Sequence, residues 1–140
     1  MLSIITIFQR PVVMAKEYKV REDTALELCA ARLAYSEQRL EEAGNELPKV
    51  LINHYPLRRD LVHIPRIPRF IPWCGTRHTE GWHQRFNVKI AVSGHLHVRR
   101  TDWRDGTRFE EVSLGYPRQW NSTRGLESYL REILPGPPNT

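Results

Sequence analysis

The chain has 140 residues, enough for one domain with one core. Hydrophobic residues make up 40% and charged residues 26%, a balance that excludes a disordered chain. With 21 basic and 16 acidic residues the net charge is +5, which suits an anionic partner, a phosphate compound or nucleic acid, and equally suits a mildly basic surface without a partner.

The opening stretch, MLSIITIFQRPVVMAK, is apolar but interrupted by Arg10 and Pro11, and is too short to span a bilayer. It lacks the basic start and small-residue cleavage site of a secretory signal. Residues 4–8 suit a buried strand, or else belong to a loose tail. Residues 23–43 read as a helix, with Thr24 and Glu27 at capping-box spacing and Leu26, Cys29, Leu33 and Leu40 as its apolar stripe. Gly44 stops it. The run KVLIN, 49–53, is a short buried strand that ends at His54-Tyr55-Pro56. Residues 57–78 carry Pro65, Pro68 and Pro72 among five arginines and predict a long irregular loop. A short helix is expected over 79–86 and a second strand over 88–94, closed by Gly94. Strand-like residues 98–103 and 107–114 flank Asp105-Gly106, a hairpin turn pair. Leu126, Tyr129, Leu130 and Ile133 predict a closing helix over 124–134, followed by a tail over 135–140. The order of elements indicates an α/β fold with a mixed sheet and flanking helices.

Cys29 and Cys74 stand 45 positions apart with no C-x-x-C pair, which excludes a thiolate zinc knuckle and gives no disulfide framework. A reducing cytoplasm is the expected compartment, and no membrane association is expected.

The chemistry concentrates in three histidines. His54 and His95 each follow a short apolar strand, where ligand sites of open α/β sheets gather. His97 lies two positions beyond His95, so an extended segment would place both rings on one side. Neutral imidazole is a common metal ligand. The H-x-H spacing does not by itself separate a metal site from ordinary surface histidines; the second strand-end histidine, His54, puts the two readings on an equal footing.

VLINHYPL followed by VSGHLH resembles the later motifs of the calcineurin-like metallophosphoesterases, and FEEVSLGYPRQW together with WCGT resembles one bacterial branch of that family. The resemblance covers roughly residues 21–120, and residues 1–20 match least. It implies the carboxyl half of an α/β/β/α sandwich, with a partial domain over 21–134. It implies that His54 and His95 bind one divalent ion and His97 another, as manganese, iron or zinc. A metal-bound hydroxide would attack phosphorus while two ions about 3.5–4 Å apart neutralise the phosphoryl oxygens.

The family's earlier motifs, D-x-H, G-D-x-x-D and G-N-H, do not occur in residues 1–50. Gly44-Asn45-Glu46 lacks the histidine, and Asp60 and His63 are one residue too far apart and follow His54. Two dications 4 Å apart repel by roughly 17 kcal/mol at an effective dielectric near 20, and three neutral rings cancel none of it. The expectation is therefore a truncated or split metallophosphoesterase whose other half could be a separate chain. Alone, it would bind metal weakly and hydrolyse little phosphoester.

Arg58 and Arg59 are candidate substrate-binding residues, because guanidinium grips phosphate bidentately, although a solvated basic loop fits them too. Trp73, Trp82, Trp103 and Trp120 suit packing, or stacking on a nucleobase. His63, His78 and His83 match no ligand position of the family. The competing reading is a non-catalytic module that binds nucleic acid or a single zinc ion.

Overall fold

The computed structural model describes residues 2–6, 22–64 and 68–135. It is an α/β fold built on one five-stranded mixed sheet in the order β1-β2-β3-β5-β4. Strands β1 (Ser3–Thr6), β2 (Lys49–Ile52), β3 (Val88–Ser93) and β5 (Thr107–Glu111) run parallel, and β4 (Arg100–Arg104) pairs antiparallel with β5. Residues 4–6 of the first expected strand lie in β1; residues 7 and 8 fall outside those described.

The apolar runs of β2 and β3 are buried on both sides, as parallel strands require. Leu51, Ala91 and Phe109 face one core with Ile5, Leu57 and Phe86, while Val50, Ile90 and Val92 form the opposite one. The hairpin turns where expected: Asp105 and Gly106 both have positive φ (53° and 74°), the type I′ combination that matches strand twist.

Helix α1 (Glu22–Glu42) begins before Thr24, so Thr24 lies inside it and does not cap it. Of the described residues of its expected stripe, two reach the core and one does not. Leu40 is fully buried and Leu33 packs on the core, whereas Cys29 is exposed, contrary to its expected place on the core face. The side chain of Leu26 lies outside those described. Among the described side chains of the helix, the buried ones lie in its later turns, where Ser36 is also buried with its hydroxyl bonded to the Arg32 carbonyl. Between β2 and β3 the long loop winds through three 3-10 turns before α2 (Trp82–Arg85), shorter than the helix expected over 79–86. Trp82 packs against Phe86 in the core.

The closing helix over 124–134 does not form. Ser122–Arg124 and Leu126–Tyr129 are 3-10 turns, Gly125 sits at φ 70°, and Leu130 is extended. A short helix is marginal without an apolar face to bury, and Leu126 and Leu130 are 59% and 78% exposed. The carbonyls of this segment go to arginines: Arg99 donates to Tyr129 and Arg108 to Ile133.

Among the described residues no helix is long and apolar enough to cross a membrane.

Candidate metal centre

Strand register brings two distant histidines together. Ile52 pairs with Val92 across β2 and β3, Asn53 N–H donates to the Val92 carbonyl at 2.9 Å, and Gly94 N–H donates to the His54 carbonyl at 3.1 Å. The parallel ladder thus runs past the strand ends and sets His54 beside His95. Asn53 secures the turn from its side chain, which donates to the Tyr55 carbonyl at 2.9 Å.

His95 Nδ1 and His54 Nε2 stand 3.0 Å apart, with the rings at 73° to each other. Tyr55 packs against both, its ring centroid 4.8 Å from His54 and 4.5 Å from His95. Burial depresses the His95 pKa first, and the neighbouring charges of His54 and His97 push it the same way. The shift favours the neutral ring, the form in which imidazole ligates metal.

A simple test shows what these rings fit. Two nitrogens each about 2.1 Å from one ion and about 90° apart lie about 3.0 Å from each other. The His54–His95 spacing therefore suits adjacent ligands of a single divalent cation, and equally a ring-to-ring hydrogen bond. Among the described residues, no group of three or more His, Cys, Asp or Glu side chains is arranged to hold an ion. The residues present fit part of a ligand set.

The segment is not extended at His97, contrary to what the expectation of a shared side assumed. The backbone turns there, at φ 56°, and the ring addresses Gln119 Oε1 at 3.1 Å and the edge of Tyr116 at 4.6 Å. The turn is held by Glu111, a residue that sequence reasoning did not single out. Its carboxylate accepts from Leu96 N–H at 3.0 Å and Val98 N–H at 3.2 Å, and from the Ser113 hydroxyl, which in turn accepts the His97 N–H at 3.3 Å. Glu111 is therefore committed to the backbone. Only its position in the acidic pair at the end of β5 hinted at it.

Arg58 and Arg59 line an open cleft of about 320 Å³ together with Pro56, Ile71, Cys74 and Arg77. Its wall begins two residues after His54, and Gly75 closes on it so tightly that a Cβ there would meet the Pro56 carbonyl at 3.1 Å. Arg58 is engaged by Asp60 at 2.8 Å and Asp105 at 3.4 Å, while Arg59 is exposed. Arg66 lies outside the described residues. His83 proves to be a core residue: it is 1% exposed and its Nε2 meets Asp105 at 2.9 Å. His63 and His78 are exposed.

No protein-family model matches the chain. It is 48% identical over 109 residues, 78% of its length, to the acyl-carrier-protein phosphodiesterase PptH of Mycobacterium tuberculosis, and spans 33% of that protein. The crystal structure of phosphopantetheinyl hydrolase PptH from the same organism superposes with a TM-score of 0.74 at 44% identity, covering 87% of this chain and 42% of that one. The chain thus matches a phosphodiesterase over about a third of that protein's length in sequence and 42% of the solved chain in fold.

Proposed function

We propose that this chain carries the histidine ligands of a metal-dependent phosphodiesterase of the calcineurin-like metallophosphoesterase type. The observation that carries the reading is the 3.0 Å approach of His54 Nε2 and His95 Nδ1 at the ends of adjacent parallel strands. The similarity to PptH supports the same reaction class. His54 and His95 would hold one divalent ion, manganese, iron or zinc, and His97 a second. Such ions supply charge stabilisation to a phosphoryl group and activate water.

The chain's own residues have definable parts. Tyr55 packs against both rings of the His54–His95 pair and would hold their orientation. Arg59, with Arg77 across the cleft, would receive a phosphate oxygen, whereas Arg58 is spent on Asp60 and Asp105 and stiffens the loop. The substrate by this reading is a phosphodiester such as the phosphopantetheinyl linkage on a carrier protein. Residues 21–134 act as one unit of the domain, and the free thiols of Cys29 and Cys74 fit a reducing cytoplasm. On this reading the carboxylate ligands for two ions would be those of the family's earlier motifs, supplied by a separate chain.

Two measurements test this. Manganese added to the chain should broaden the ring resonances of His54 and His95, weakly and reversibly, and His95→Ala should remove the effect at His54. PptH with its matching segment replaced by this chain should release phosphopantetheine from its carrier protein, and His54→Ala or His95→Ala in that chimera should cut turnover by a factor of a hundred or more. A folded chimera as active with His95→Ala as without it would overturn the proposal.

A further inference from the structure

His54 and His95 meet each other at their ring nitrogens, whereas the partner of His97 is an amide side chain. Gln119 lies in the 3-10 turn Pro117–Gln119, and its Oε1 sits 2.6 Å from the backbone nitrogen of Tyr116 and 3.1 Å from His97 Nδ1. A backbone N–H can only donate, so the amide atom that meets Tyr116 must be the oxygen, which removes the usual ambiguity between amide oxygen and nitrogen. That same oxygen can only accept from His97. Nδ1 must therefore carry the proton, and Nε2 keeps the lone pair.

The turn is shaped for this contact. Gly115 has φ 84°, and a Cβ on it would stand 2.8 Å from Gln119 Oε1, so a side chain there would evict the amide. Tyr116 meets the His97 ring edge-on at 81°, which fixes the ring plane. Ser113 takes the His97 backbone N–H at 3.3 Å and leaves the ring to Gln119.

We propose that Gln119, seated by Gly115 and the Tyr116 N–H, is a positioning residue that sets the Nδ1–H tautomer of His97 and commits Nε2 to ligation. The consequence for metal rests on the reading of His97 as a ligand; the tautomer does not. Partners that fix the proton on a ligating imidazole typically change metal affinity by 10–100-fold when removed.

The test uses two-bond proton–nitrogen correlation spectra of the full chain without metal, above the histidine titration range. In the wild type, and in Gln119→Glu, which retains an acceptor, His97 should carry its proton on Nδ1. In Gln119→Leu the proton should move mainly to Nε2, the tautomer an unconstrained imidazole prefers, while the buried His83 ring stays unchanged as a check on folding. A wild-type His97 protonated on Nε2, or a Leu variant still protonated on Nδ1, overturns the proposal, the first without need of any variant. Zinc titrations of the same samples judge the metal reading separately. Zinc should perturb His97 about tenfold more weakly in Gln119→Leu. Zinc that perturbs His54 and His95 but never His97 would remove His97 from the ligand set and leave the tautomer result standing.

Discussion

The sheet's two faces are buried by different chemistry. On the α1 side, Leu51, Ala91 and Phe109 meet Leu40, Leu57, Leu61, Trp82 and Phe86 in an apolar core that needs no polar partner. On the other side the apolar patch is small, Val50, Ile90 and Val92 with Ile133, and beside it β5 turns Arg108 and Glu110 inward, 3% and 0% exposed at their side chains. Arg131 reaches Glu110 at 3.0 Å, the Thr101 hydroxyl donates to it at 2.9 Å, and Arg108 donates to the carbonyls of Ile133 and Pro135. The first face is closed by helices and the second by an irregular segment held through carbonyls and charges. Apolar burial tolerates loose geometry, whereas a buried ion cluster is only as good as its partners.

Neighbouring residues of β5 sample both faces, so substitutions there separate them. Phe109→Ala should cost about 3–5 kcal/mol in urea unfolding, since it empties a well-packed site that cannot collapse fully. Glu110→Ala should cost about 3 kcal/mol, because Arg108 and Arg131 lose their counter-charge while Arg108 keeps its carbonyl partners. The two faces then part company. Arg108→Met with Glu110→Leu should recover most of that loss or exceed wild-type stability, because a well-packed apolar pair avoids the desolvation cost of both ions. No second substitution should rescue Phe109→Ala in that way. If the apolar double variant is no more stable than Glu110→Ala alone, the second face depends on its charges as deeply as the first depends on its apolar contacts.

The sequence pattern conveyed the first face, and the meeting of His54 with His95, far better than the second face. VLI and the run from Val88 to Ser93 are strands by composition, and the strand-end placement of His54 and His95 anticipated their meeting, because parallel register carries ends to ends. Asp105-Gly106 specified its turn locally. What was not legible depends on distant partners. Lys49 reads as a polar strand edge yet is fully buried, because its ammonium reaches the carbonyls of Gly44 and Phe86. Arg108 and Glu110 look like ordinary exposed positions, His83 hides its bond to Asp105 across 22 residues, and Gln119 gives no sign of meeting His97. The spacing of Leu126, Tyr129, Leu130 and Ile133 has helical period, but a period forms a helix only where a core waits for its face.

A second ion cluster, at the surface, sharpens the contrast with the smallest expected effect. Asp60 receives Arg58 at 2.8 Å and Arg104 at 2.8 Å, joining the turn that covers the first face to the end of β4. Partial burial raises its pKa, but the hydrogen bonds and charges of Arg58 and Arg104 outweigh that and hold the carboxyl below its ordinary 3.8. A carboxylate with a depressed folded pKa adds stability above its unfolded pKa and loses it as pH falls through the folded value. Asp60→Asn should therefore be less stable than wild type at neutral pH, and the gap should close as the solution is acidified from about pH 4 downward. With the side chain 42% exposed, the gap should be only about 0.5 kcal/mol and should shrink further in high salt. Salt should change the larger cost of Glu110→Ala far less, since Glu110 and Arg108 are 0% and 3% exposed, although Arg131 is 29% exposed. Equal salt sensitivity in the two variants would mean that the cluster on the second face is open to water, and that the segment over 130–135 does not seal it.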